Sequence, residues 1–199
     1  LREKLTSLAN FLFTLHKRTE MPFNVDLDNV SSYFLKILDK LHRQTLLSDS
    51  ERDVFIRLVF KWLNSGILNV SSVIAHCDAT PTNFIFCENG DVVAIDLERL
   101  RNGDIVYDIG MVCGELKHSF LWRTGDWHIS EVYIRHFLKS YASHFVDHRK
   151  AFNDITRRNP FYMAMTELRI ARNDFLDWNY RKRLVNEAMQ CLKWGLIHS

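Results

Sequence analysis

Apolar positions recur at helical spacing over both ends of this chain and at strand spacing only in its middle. Leu5, Leu8, Ala9, Leu12 and Leu15 fall on one stripe within the first twenty residues, the signature of an amphipathic helix packed against a core. The spacing predicts a second helix over about 28–44, with Val30, Phe34, Ile37, Leu38 and Leu41 facing inward. A third follows Ser48, which with Glu51 spells a capping box. It runs through Val54, Leu58 and Trp62 and stops at Gly66. From Val73 the texture changes to short apolar runs, 73–75, 84–86 and 92–95. The turn Glu88-Asn89-Gly90-Asp91 between the last two predicts a β-hairpin. After a loop around Asn102-Gly103-Asp104, helical spacing returns over about 107–122, 129–146, 161–176 and 180–196. The expected fold class is α+β and mostly α-helical, one domain over 1–199, with a small central β-hairpin.

Composition bounds the class. With 199 residues, 47% hydrophobic and 25% charged, the chain can bury a core of its own, which excludes a disordered tail or a disulfide miniprotein. Only seven glycines and three prolines favour long helices over a many-turned sandwich. The net charge of +2 and the lack of a basic stripe argue against nucleic acid as a partner. No apolar stretch approaches the ~18 residues of a membrane span. Cys77, Cys87, Cys113 and Cys191 are scattered, with no CxxC pair, so they read as reduced, mostly buried thiols of a cytoplasmic protein.

The densest polar chemistry lies in the strand island: His76, Asp78, Asn83, Asp96, Glu98 and Asp108. A tight hairpin returns Asp96 to the neighbourhood of Asn83. An amide oxygen beside a carboxylate suits Mg²⁺, which takes few protein ligands and completes its shell with water and phosphate. Asp78, set apart from them, is left to accept a proton from an attacking hydroxyl. One base with two metal ligands is the division of labour of phosphoryl transfer. Taken singly, Asn83 could cap a turn and His76 could be a hydrogen-bonded core histidine. The ordered set favours the chemical reading.

The run His76-Cys77-Asp78-Ala79-Thr80-Pro81-Thr82-Asn83, followed by Ala94-Ile95-Asp96-Leu97-Glu98, resembles the HxDxxxxN and IDxE signatures of aminoglycoside phosphotransferase and choline kinase-like enzymes. Gly103-Asp104 and Tyr107-Asp108-Ile109-Gly110 continue the likeness, and the opening helix looks like the first helix of that family's large lobe. The resemblance implies a kinase-like C-terminal lobe with Asp78 as catalytic base and Asn83 and Asp96 holding Mg²⁺ beside the phosphates of ATP. His76 and Asp108 would be architectural residues of the catalytic loop. Glu98 matches an acidic position of choline kinase-like members, its role left open.

The family's nucleotide site also needs a small β-rich lobe with a phosphate-covering loop and a strand lysine. The sequence contains no GxGxxG, no GxxxxGK and no VAIK-like strand. In family order those parts precede residue 1, so the chain reads as cut from something longer, and alone it is expected to be a poor catalyst. For the acceptor, aromatic faces at Trp122, Trp127, Phe161, Tyr162, Trp178 and Tyr180 could hold a quaternary ammonium group, or could be core. Glu115, Asp126, Asp174 and Asp177 could pair with amino groups of an amino alcohol or aminocyclitol. The stretch 173–180 loosely resembles the helix junction of choline and ethanolamine kinases. Three readings stand at this point: a kinase of small-molecule hydroxyls, an atypical protein kinase, and a non-catalytic pseudokinase or fragment that serves as an interaction module.

Overall fold

The computed structural model describes residues 1–198. Among the described residues, seven α-helices accompany two short antiparallel ladders. Helices α1 (Arg2–Arg18), α2 (Leu27–Arg43) and α3 (Asp49–Asn64) precede the strands. Strand β1 (Val73–Ala75) pairs with β4 (Arg101–Gly103), and β2 (Phe84–Phe86) pairs with β3 (Val92–Ala94). Helices α4 (Ile105–Thr124), α5 (Glu131–Ala142), α6 (His148–Ala171) and α7 (Trp178–His198) complete the chain. This is the expected mostly helical α+β architecture. Among the described residues no helix is long and apolar enough to cross a membrane.

The helix starts follow local chemistry. Ser48 accepts a hydrogen bond from the Glu51 amide while the Glu51 carboxylate accepts from the Ser48 amide, the reciprocal capping the sequence predicts. Asp26, Asp104 and Asp147 cap α2, α4 and α6 one-sidedly, their side chains accepting the amides of Asn29, Val106 and Lys150. The inward stripes meet in one core. Leu8, Leu12, Phe34, Ile37, Leu41 and Trp62 are buried, as the periodicity predicts.

Two elements differ from the sequence reading. Helix α6 begins at His148, thirteen residues before the predicted start at 161, and ends at Ala171 rather than 176. Pro160 lies inside it, where a proline supplies no N–H to the preceding turn. The helix continues because tertiary packing holds both sides. Ala151 and Ile155 before the proline, and Phe161, Tyr162 and Ala164 after it, are all buried. Gly195 of α7 makes room there, since a Cβ on it would stand 2.4 Å from the Trp62 ring and 2.9 Å from Pro160. The second difference is β4, read as a loop, whose Arg-Asn-Gly composition carries no apolar alternation. It pairs Gly103 with Val73 and Arg101 with Ala75, which ties the start of α4 to the strand that leads into His76.

Candidate active site

The segment that follows β1 is held by one carboxylate. Asp108, fully buried on the first turns of α4, accepts the backbone N–H of His76 at 2.7 Å and of Cys77 at 2.8 Å. Its Oδ2 also receives His16 Nε2 of α1 at 3.0 Å, and His16 Nδ1 lies 2.8 Å from the Tyr141 hydroxyl of α5. With Nε2–H donating to the carboxylate, Nδ1 is left to accept from Tyr141. Burial, with the Asp108 charge added, holds the Tyr141 phenol well above its usual range, so it stays a donor. These bonds hold Cys77 at φ +58°, a left-handed conformation that a side chain adopts at a cost. The reversal turns the chain so that Asp78 comes next. His76 Nε2 donates to the carbonyl of Ile95 at 3.1 Å, which joins this loop to the end of the hairpin.

Asn83 and Asp96 are brought together by the hairpin. Its register pairs Phe84 with Ala94, and the Ile95 amide then donates to the Asn83 carbonyl at 2.9 Å. Asp96, the next residue, is exposed and left-handed at φ +59°. The Asn83 side-chain amide donates to the Asp78 carbonyl at 2.9 Å. That turns the Asn83 nitrogen toward the Asp78 backbone and leaves its side-chain oxygen unengaged among the described residues. Among the described residues the Asp96 carboxylate has no hydrogen-bond or ion-pair partner. Two unengaged hard oxygen donors on adjacent chain segments fit a Mg²⁺ ion that draws the rest of its shell from phosphate and water. No group of three or more His, Cys, Asp or Glu side chains is arranged to hold a metal among the described residues.

The Asp78 side chain is 11% exposed and sits between two arginines. Arg169 of α6 places Nη2 2.8 Å from Oδ1, and Arg99, in the turn after Asp96, places Nη1 3.4 Å from Oδ2. Glu115 of α4 lies 3.9 Å from the same Arg169 nitrogen. Burial pushes the Glu115 carboxyl up, with the Asp78 charge adding to the shift and Arg169 opposing it. Glu98 is exposed and reaches only Arg99, at 3.9 Å. Neither arginine was singled out as a site residue from the sequence. The signal for Arg169 is a charged residue inside the apolar run Met163-Ala164-Met165-Thr166-Glu167-Leu168-Arg169-Ile170-Ala171, where a buried charge requires a partner.

The other sequence candidates divide. Trp122 packs edge-on against Tyr180 with ring centroids 5.1 Å apart, and the Tyr180 hydroxyl lies 2.6 Å from His118 Nδ1. Burial pushes the Tyr180 phenol up to about 12 and pulls the His118 imidazole down. Phe161 and Tyr162 are core residues, and Trp127 stacks on His128 and covers the Lys117 ammonium at 4.1 Å. Asp126 receives the His128 amide. Asp174, Asp177 and Trp178 are exposed around the α6–α7 turn, where Asp177 caps α7 by accepting the Tyr180 amide at 3.0 Å. No hydrogen bond or ion pair joins these three to Asp78, Asn83 or Asp96 among the described residues.

In architecture the chain is similar to an ethanolamine kinase from Plasmodium vivax, with a TM-score of 0.63 at 16% sequence identity. That likeness, one of fold, covers 98% of this chain and 59% of the other, so the chain spans about three fifths of the length of the structure it matches. A comparison with curated protein sequences finds no match. The model of the phosphotransferase enzyme family matches residues 1–148. That match takes in α1, both β ladders and every residue of the Asp78, Asn83, Asp96 and Asp108 constellation, and the chain belongs to the phosphotransferase enzyme family.

Proposed function

We propose that this chain is the large lobe of an ATP-dependent phosphotransferase that phosphorylates the hydroxyl group of a small molecule. The observation that carries the reading is that hydrogen bonds join the chain segments bearing Asp78, Asn83 and Asp96, with the Asn83 side-chain oxygen and the Asp96 carboxylate unpartnered among the described residues. In the proposed reaction the acceptor oxygen forms a bond to the γ-phosphorus. The bond from that phosphorus to the β–γ bridging oxygen breaks, ADP leaves, and the hydroxyl proton passes to Asp78. Asn83 and Asp96 would hold Mg²⁺, which when bound neutralises charge on the nucleotide phosphates. Asp108 and His76 keep the Asp78 loop in register with the hairpin, a positioning role rather than one in proton transfer.

The domain reading is that this lobe works with a second, nucleotide-covering lobe. Supporting it is an apolar strip beside Asp96, in which Ile85, Val93, Ile95 and Leu97 are 42–52% exposed. For the acceptor we favour an amino alcohol or related polyol. The structure this chain resembles is named an ethanolamine kinase, and Glu115, 15% exposed and 3.9 Å from the Arg169 nitrogen that meets Asp78, offers a carboxylate for an amino group.

The test is ATP consumption by this chain together with its nucleotide-covering lobe against pooled hydroxyl acceptors (choline, ethanolamine, aminoglycosides, simple sugars), with Asp78→Asn as control. Turnover that depends on an acceptor and vanishes in the variant supports the reading. Absence of turnover with every pool, from folded protein that binds Mg²⁺-ATP, moves the function to a protein substrate or a scaffold.

A further inference from the structure

We propose that Arg169 is a positioning residue for Asp78: it fixes Oδ1, leaving Oδ2 as the oxygen that takes the acceptor's proton. The proposal rests on the phosphotransferase reading and adds a residue and an atom to it. Arg169 stands in the last turns of α6 among the buried residues Met165, Leu168, Ile170 and Ala171, and its side chain is only 13% exposed. Removing a guanidinium from water is unfavourable unless its partners compensate. Here the compensation is narrow. The one hydrogen bond of the guanidinium goes to Asp78 Oδ1 at 2.8 Å, while Nη1 is buried without a partner among the described residues. Glu115 at 3.9 Å supplies charge but lies beyond hydrogen-bond reach. A salt bridge serving stability alone would be expected to engage more of the five donors of the fork. This one aims a buried cation at a single oxygen of the candidate base.

The two arginines at Asp78 are not equivalent. Arg169 projects from a 24-residue helix that is locked against α4, where a Cβ on Gly110 would stand 2.5 Å from Tyr162 Cβ and 3.1 Å from the Met163 amide. Such close backbone approach fixes where α6 sits, and hence where its side chains project. Arg99 projects from a short turn, is 50% exposed, and stands 3.4 Å from Oδ2, longer than the ~2.7–2.9 Å of a good charge-assisted bond. Oδ1 is therefore the anchored oxygen and Oδ2 the one facing an exchangeable, solvent-side neighbour. An acceptor hydroxyl that takes the Arg99 position gives its proton to Oδ2 as its oxygen bonds to the γ-phosphorus and ADP departs. A carboxylate free to swing would lose this alignment, and a misplacement of about 1 Å can lower a rate by about 10²-fold.

The experiment compares Arg169→Met and Arg169→Lys with wild type in the protein that carries both this chain and its nucleotide-covering lobe. It follows kcat and KM with an acceptor that the pooled screen identifies, the melting temperature, and the Asp78 carboxyl carbon resonance, assigned by its loss in Asp78→Asn. The expected result for Arg169→Met is a kcat lower by about 10–100-fold with both KM values within about threefold, because the contact acts through the base and not on either substrate. Arg169→Lys should recover at least about tenfold of that loss, and the Asp78 resonance should move in Arg169→Met and return partway in Arg169→Lys. An active wild type with Arg169→Met within about threefold in kcat, or an unmoved Asp78 resonance, overturns the proposal and leaves the phosphotransferase reading intact. Equal loss of kcat in both variants, tracking their loss of thermal stability, assigns Arg169 a structural role only and overturns it too. A wild-type protein that transfers no phosphoryl group to any acceptor overturns the phosphotransferase reading and this proposal together.

Discussion

Replacing Asp108 by Asn tests whether one buried carboxylate organises the Asp78 loop. The carboxylate accepts three hydrogen bonds at 2.7, 2.8 and 3.0 Å, from the His76 and Cys77 amides and from His16 Nε2. Asparagine keeps the shape but offers a single oxygen, so at least one buried N–H faces an NH₂ group instead of an acceptor. An orphaned buried donor costs about 1–3 kcal/mol. Exchanging charge-assisted bonds for neutral ones removes about 1 kcal/mol more. The left-handed Cys77 adds roughly 1–2 kcal/mol of strain that these bonds hold in check, and part of it is released when they weaken. The expected net loss, after that release, is about 1–3 kcal/mol, a large share of the roughly 5–15 kcal/mol that stabilises a domain. Urea unfolding at unchanged slope measures it, and hydrogen exchange at the His76 and Cys77 amides localises it, because those two amides should lose protection first. A variant within about 0.5 kcal/mol of wild type, with both amides still protected, would refute the reasoning.

Three further outcomes follow from the packing. Glu167 is fully buried against Lys117, and burial, outweighing the pull of the ammonium, raises its carboxyl to about 7. Because the folded protein holds that proton more tightly than an unfolded chain with an ordinary value of 4.5, Glu167 lowers stability as pH rises from about 4.5 to about 7. The slope from this one group is at most about 1.4 kcal/mol per pH unit. Urea unfolding of Glu167→Gln between pH 5 and 8 should lack that component, and curves parallel to wild type would contradict it. Gly110→Ala should destabilise by about 1–3 kcal/mol or prevent folding, since the new Cβ meets α6 backbone that cannot give way; a neutral melting temperature would show that α4 and α6 are less tightly joined. Of the four cysteines only Cys87 is exposed, and burial pushes the Cys77 and Cys113 thiols up to about 12. A thiol reagent should therefore label one cysteine per native chain rapidly, and Cys87→Ser should abolish that phase.

The fold was legible where burial follows a period. Helices α1 to α3 and the β2–β3 hairpin carry one-sided stripes, a capping box at Ser48–Glu51 and an Asn-Gly turn, each a local cause with a local effect. Strand β4 was not legible, because Arg101-Asn102-Gly103 pairs through backbone groups alone, and what selects its partner is the tertiary position of β1. Nor was the early start of α6, because Pro160 argues locally for a break that packing against Gly195 and Trp62 overrides. The order of Asp78, Asn83, Asp96 and Asp108 suggested a site because hairpin geometry follows from chain distance. Arg169 and His16, 91 and 92 residues from their partners, belong to helices whose approach no local pattern specifies. For Asp174, Asp177 and Trp178 the structure shows exposed positions at the α6–α7 turn, with Asp177 capping α7.

In the proposed reaction Asp78 and Asp96 divide the work, one serving the acceptor hydroxyl and the other the metal-bound nucleotide. The most direct measurement is Mg²⁺-ATP affinity and acceptor-dependent turnover, side by side, in Asp78→Asn and Asp96→Ala. The account predicts that Asp78→Asn binds Mg²⁺-ATP within about threefold of wild type while turnover falls by about 10²–10⁴-fold, and that Asp96→Ala loses nucleotide affinity at least about tenfold. Turnover that survives Asp78→Asn, or nucleotide binding that ignores Asp96→Ala, would contradict it.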